Sequence, residues 1–205
     1  MFKSLATTFI IVTFASASCV QIKSIFIKDI FVDFKGLKIN TAVDFETKNK
    51  SKDFTPTHLI SIGEGIYPNK NNYKLETPRI FIRPDKPNFQ LETEYYYVLN
   101  DSSVKVILYQ WDILEKKEKE LSVQDKNAET KRTLFTLFQL KFDQLTDSLT
   151  KVLGLPKEKN IEQNRIAPDQ PFRDDIKWEG LTGCNAYLFM FGNNESGFRQ
   201  IRLAV

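Results

Sequence analysis

Residues 89–111 read Phe-Gln-Leu-Glu-Thr-Glu-Tyr-Tyr-Tyr-Val-Leu-Asn-Asp-Ser-Ser-Val-Lys-Val-Ile-Leu-Tyr-Gln-Trp, and this alternation decides the fold. Phe89, Leu91, Thr93, Tyr95, Tyr97 and Leu99 recur at every second position, with Gln90, Glu92 and Glu94 between them. Successive side chains of a strand point to opposite faces, so period two marks a half-buried strand. The turn formers Asn100-Asp101-Ser102-Ser103 follow, and Val104–Trp111 alternates again. Two such runs around a short polar turn predict a β-hairpin.

Working upstream, Leu37, Ile39, Thr41, Val43 and Phe45 alternate with polar or small residues and predict another strand. Ile80-Phe81-Ile82, fenced by Pro78 and Pro84, predicts an edge strand at best, because proline cannot donate to a ladder. Segments 48–57 and 67–72 read as polar loops. Residues 25–113 are thus expected to be β-rich.

Downstream, the mixed charges of 115–131 read as a solvated connection. A helix is predicted over 128–153, where Phe135, Phe138, Phe142, Leu145, Leu149 and Val152 recur at steps of three and four. Gly154 supplies a stop and Pro156 prevents continuation. Residues 157–175 read as a long polar loop, and 176–205 as closing strands around the turn at 192–197. Strands, one long helix, then strands predict an α+β fold in which an amphipathic helix packs on a mainly antiparallel sheet. Residues 19–205 suit one domain with its own core.

Residues 1–18 carry a different message. Lys3, the apolar run Leu5–Phe14 and the small residues Ala15-Ser16-Ala17-Ser18 form the three parts of an export signal. The run is shorter than the roughly 20 residues a spanning helix needs. Two fates of the next residue stay open. Cleavage after Ala17 releases a chain that starts at Ser18. Alternatively, Ala15-Ser16-Ala17-Ser18-Cys19 resembles a bacterial lipoprotein box, with acyl chains on Cys19 and an outer-membrane or periplasmic location. With two cysteines in all, an unmodified Cys19 is expected to pair with Cys184 in an oxidising compartment.

The search for chemistry returns little. A formal net charge of +3, with acids and bases nearly balanced, gives no footprint for nucleic acid. His58 is the only histidine, so a histidine-rich metal site is excluded, and no nucleophile motif accompanies it. Glu92 and Glu94 share one strand face at a spacing of about 7 Å, room for an acid–base pair, although such residues usually form a strand's wet side. Ser61-Ile62-Gly63-Glu64-Gly65 lacks the Lys-Ser/Thr of a phosphate loop. Tyr95, Tyr96, Tyr97, Tyr109 and Trp111 offer a stacking surface or a core, and the alternation allows only part of them on show. Asn49, Asn100 and Asn194 open Asn-x-Ser triplets, which matter only in a eukaryotic secretory route.

Leu153-Gly154-Leu155-Pro156 at a helix end, then a loop, Trp178 and closing strands, is similar to the tail of small outer-membrane assembly lipoproteins of the SmpA/OmlA type. The resemblance covers about a quarter of the chain, and the β-rich first half departs from that family. The expectation is an exported, non-catalytic envelope protein without cofactor that binds an envelope partner and reaches the membrane through Cys19. The alternative is a secreted inhibitor or immunity-type protein with 157–175 as its contact loop. An enzyme using Glu92, His58 or Cys184 comes third.

Overall fold

The computed structural model describes residues 25–27, 30–58, 60–63, 73–114, 128–167, 169–179 and 185–205. The export signal, Cys19, the mixed-charge residues 115–127 and Cys184 lie outside these. In chain order the elements are β1 (Ile25–Ile27), β2 (Ile30–Asp33), α1 (Ile39–Lys48), β3 (Lys52–Asp53), β4 (Arg79–Asp85), β5 (Phe89–Tyr97), β6 (Val104–Ile113), α2 (Ala128–Leu153), β7 (Glu158–Asn160), β8 (Pro171–Glu179), β9 (Asn185–Asn193) and β10 (Arg199–Ala204). The fold is α+β. β1 and β2 form a separate pair, and eight strands make one sheet in the order β3-β4-β5-β6-β10-β9-β8-β7, antiparallel throughout.

The sheet has two halves sewn at one seam. Strands adjacent in the chain are neighbours in the sheet from β3 to β6 and from β7 to β10. The seam is β6 against β10, where Trp111 faces Ile201 and Tyr109 faces Leu203. Register then places Tyr95, Tyr109, Trp111, Ile201, Leu203, Leu188, Met190, Ile176 and Trp178 on one face, all nearly inaccessible. β2 and residues of both helices join these side chains in one core cluster. Both helices and β2 therefore sit on one side of the sheet, while Ile62 and Leu75 pack with Tyr96, Val106, Leu108 and Ala204 on the other. On the α2 side, Phe138, Phe142, Leu145 and Leu149 enter that cluster, spaced so that they fall on one stripe. Phe135 is only half-buried and Val152 is exposed, so the stripe is shorter than the periodicity implied. Gly154, at φ +87, closes the helix with its N–H on the Thr150 carbonyl.

Three expectations are corrected. The alternating residues 39–45 are not a strand: they fall in α1, so the described residues hold two helices. Ile39, Ala42 and Glu46 are buried at helical spacing, and the same sequence satisfies both periods. Burial of Glu46 settles the choice, because its partners lie on the sheet. Next, β4 is not an edge strand. It pairs with β5 over its whole length, and the two-residue β3 takes the edge, opposite Phe81 and Ile82 and short of Pro84. Finally, the loop expected to run to 175 is interrupted by β7 and yields to β8 at Pro171. Asp174 explains the gain: fully buried, its Oδ1 accepts the backbone N–H groups of Glu162 (2.7 Å) and Gln163 (3.0 Å), which fastens the connection to the strand.

Truncating Phe142 to alanine leaves a cavity in the cluster and should cost about 3–5 kcal/mol of unfolding free energy. Leu140, on the opposite side of the same helix and 62% exposed, should tolerate the same change within about 0.5 kcal/mol. Urea titration of the two variants measures both.

Candidate functional site

The face of the sheet away from the helices is built from the alternate residues of the same strands. Pairing aligns Gln90 with Asp112, Glu92 with Gln110, Arg202 with Gln110, and Phe189 with both Arg202 and Asp175. Glu92 and Glu94 thus do share a face, and Asp112 joins them. An amide and guanidinium lattice surrounds Asp112. Gln110 Nε2 and Gln200 Nε2 each donate to Asp112 at 2.8 Å, and Arg202 Nε donates to Gln110 Oε1 at 2.8 Å. The Tyr96 hydroxyl donates to Glu94 at 2.5 Å.

Half-burial raises the pKa of Glu92, and the neighbouring negative charges of Glu94 and Asp112 push it further. Burial raises Glu94 as well, against the pull of the Tyr96 hydroxyl and Arg202. These carboxylates hold protons more readily than free ones. Glu94 and Asp112 are each engaged by neighbouring side chains of the same face.

Beside them on β9 stands an aromatic row, Tyr187, Phe189 and Phe191, with ring centroids 5.0 and 6.1 Å apart. Cations lie over it. The Arg173 guanidinium sits 4.4 Å from the Phe189 ring and donates to the Tyr187 hydroxyl at 2.8 Å, and Arg202 lies 5.5 Å from Phe191. Such contacts hold an exposed guanidinium in place. The face is therefore polarised across its strands, acids on β5 and β6, aromatics and arginines on β8 to β10. The far end of this row is fixed by Gly192, where a Cβ would come within 2.2 Å of the Phe198 carbonyl oxygen.

The helix side carries charges of another kind. Glu46 is fully buried, and it accepts hydrogen bonds from Arg83, from Ser51 and, at 2.6 Å, from the Tyr95 hydroxyl. Burial works against the charged form of Arg83, yet Glu46 beside it more than offsets this and raises its pKa. Asp85 Oδ2 accepts from Lys141 of α2 at 2.5 Å and from the Trp111 indole at 2.9 Å. Between the two groups lies a cavity of about 60 Å³, lined by Ile30, Leu91, Gln144 and Ser148 among others. That is space for a water or two, not for an organic ligand. We read these pairs as fasteners of α1 and α2 to the sheet.

The remaining candidates are scattered. His58 is exposed in a bend and makes no hydrogen bond or ion pair among the described residues. Cys19 and Cys184 lie outside the described residues, as do Glu64 and Gly65. Tyr95, Tyr109 and Trp111 face the core, while Tyr96 faces the other way and is covered by Ile62, Val106 and Leu108. Asn194 is tied by its side chain to Arg199 and Gln163, so the turn that holds it is built around that residue. Among the described residues no group of three His, Cys, Asp or Glu is placed to hold a metal ion. Sequence reasoning missed Glu46–Arg83 and Arg173. Arg83 shares the inward parity of Phe81, a sign that it needed a buried partner, but nothing local named Glu46.

Comparison with protein-family models, with curated proteins and with solved structures finds no match for this chain.

Replacing Glu46 by alanine strands the buried Arg83 charge and should cost about 3–5 kcal/mol, whereas the paired E46L/R83M change should recover most of that loss. A thermal or urea melt of both variants distinguishes them. The open face predicts a pH effect. Folded Glu92 and Glu94 keep protons that the unfolded chain has released, so their contribution to stability is full below the ordinary carboxylate range and is lost as pH rises through the raised values. Glu92→Gln should therefore flatten the decline in urea midpoint between about pH 4 and pH 7, and an unchanged slope would contradict the assignment.

Proposed function

We propose that the protein is an exported, lipid-anchored and non-catalytic component of the bacterial cell envelope that binds another envelope protein through the open face of its sheet. The observation that supports this reading is the division of labour between the two faces. On this reading α2 acts as an amphipathic cover for one face, with its apolar stripe in the core. The other face presents the polarised row of carboxylates, amides, aromatics and the exposed Arg173. Polar side chains interlocked with one another, beside aromatics under guanidinium groups, suit a protein partner of complementary charge, because such a face gains specificity without an enclosed pocket. The Lys3, apolar and small-residue order before Cys19 supports export and acylation.

The test is capture from the envelope fraction after cross-linking. The native chain should bring down one envelope protein in constant ratio, and Arg173→Glu, which changes an exposed residue, should lose it while melting at the same temperature. A toxin or hydrolase in that position would favour the inhibitor reading instead. Mass measurement of the mature N-terminus should show acyl chains on Cys19, and a chain starting at an unmodified Ser18 would sink the lipid anchor.

A further inference from the structure

We propose that the end of the molecule carrying the β5–β6 turn faces the membrane, where exposed Leu99, Leu155 and Tyr73 rest in an anionic headgroup layer with Lys35, Lys74 and Lys105 around them. This deepens the lipid-anchored reading and rests on it.

The chain enters the fold at one end of the sheet. β1 runs antiparallel to β2 with Ile25 opposite Asp33, so the entering chain lies beside the C-terminal end of β2. From there the backbone continues to Leu37 and Lys38. The Leu37 carbonyl accepts the Val104 N–H, and Lys38 bridges to Ser103. Ile25 therefore enters at the end of the sheet that holds the β5–β6 turn. Five residues, 20–24, separate it from Cys19. Fully extended, that tether reaches about 20 Å, less than the length of most small domains. An acyl group on Cys19 would thus keep this end, and not the opposite one, within touch of the bilayer.

The surface at this end differs from the rest. Leu99 sits in the β5–β6 turn and is 68% exposed, and Leu75 bridges to Val98, which brings Tyr73 to the same end. Leu155, 87% exposed, follows the C-terminus of α2. It reaches the same end because the next residues pair with the last part of β8, with the Lys157 N–H on the Lys177 carbonyl. At the opposite end, among the described residues, the β9–β10 turn exposes Phe198 alone of the large apolar side chains. Single exposed apolar side chains are common on protein surfaces, so what distinguishes this end is their occurrence where the tether enters. A tethered bilayer is the cover nearest to hand.

Charge points to the same occupant. Lys35 and Lys74 are exposed, and Lys105 stands 4.7 Å over the Tyr73 ring. None of the three has an ion-pair partner among the described residues, whereas Asp101 and Glu179 at this end are neutralised by Lys38 and Lys157. Glu76 and Asp33 at this end also lack an ion pair among the described residues, so the three lysines leave a small positive excess there. Lysines beside apolar tips match the layering of an anionic membrane surface, where apolar groups enter the acyl boundary and cations stay at the headgroups.

The experiment uses the mature chain, residues 19–205 with Cys184→Ser, coupled through the Cys19 thiol to a maleimide lipid. The vesicles are phosphatidylcholine and phosphatidylglycerol with brominated acyl chains. Three variants each place one indole at an exposed site: Leu99→Trp, Leu155→Trp and Phe198→Trp. Bromine quenches indoles that reach the acyl boundary, so L99W and L155W should lose about half of the added fluorescence and F198W none. In the L99W chain, changing Lys35, Lys74 and Lys105 together to Glu should restore the signal. Equal quenching of all three indoles, or none at positions 99 and 155, would overturn the proposed orientation. Because the lipid here is attached chemically, that failure is separate from a failure of acylation in the cell, which the mass of the mature N-terminus reports.

Discussion

Three aromatic side chains on the inner face of the sheet organise the covering layer. Tyr95, Tyr109 and Trp111 lie on the central strands and are buried almost completely, so each hydroxyl or indole N–H must find a partner inside the protein. Each finds it on a different element. The Tyr109 hydroxyl meets the backbone of Phe31 in β2, as acceptor of its N–H (2.8 Å) and donor to its carbonyl (3.2 Å). Tyr95 donates to Glu46 of α1, and Trp111 donates to the Asp85 carboxylate that also holds Lys141 of α2. Apolar burial supplies the driving force for covering the sheet, but it is not directional. The three polar tips supply direction: they fix which element lies over which part of the face.

The same logic explains why charges occur on both faces with different consequences. Beneath the helices, Glu46 and Arg83 are paired at close range away from water, a geometry in which either one alone would be costly. On the open face Glu92 and Glu94 are only partly withdrawn from water, and burial raises the pKa of both while Arg202 pulls against it. Cations stacked on aromatic rings there cover apolar area while keeping their donors outward. One face is thus covered by the helices, and the other carries a small apolar cluster beside a row of polar side chains.

The seam between β6 and β10 gives this arrangement its unity. The two halves of the sheet come from separate parts of the chain, with α2 between them, and neither half closes a core alone. Trp111 against Ile201 and Tyr109 against Leu203 join them directly over the buried aromatics. Loss of packing at the seam would uncover both halves at once, so a single cooperative unfolding transition is the natural consequence.

The sequence alone determined that 89–111 is a hairpin and which side chains of β5 share a face, whereas its register carries a bulge between Tyr96 and Tyr97 that alternation does not state. It also determined where α2 must stop, because Gly154 adopts a backbone conformation that other residues avoid. Local pattern failed where two periods coincided or where a partner lay far along the chain. Residues 39–45 alternate like a strand, yet Glu46 became buried against Arg83 and Tyr95, 37 and 49 positions away, and those contacts exist only in the folded helix. β4 looked like an edge because its prolines are local, while the strand that takes the edge, β3, is too short to register as one. The polarised open face was half legible: Glu92 and Glu94 were visibly on one side, but Arg173 and the aromatic row joined them only through the pairing of β8, β9 and β10. Periodicity is a property of a few neighbouring residues, and the sequence states it. Which buried charge meets which partner depends on the distance between remote segments, and only the tertiary structure sets that.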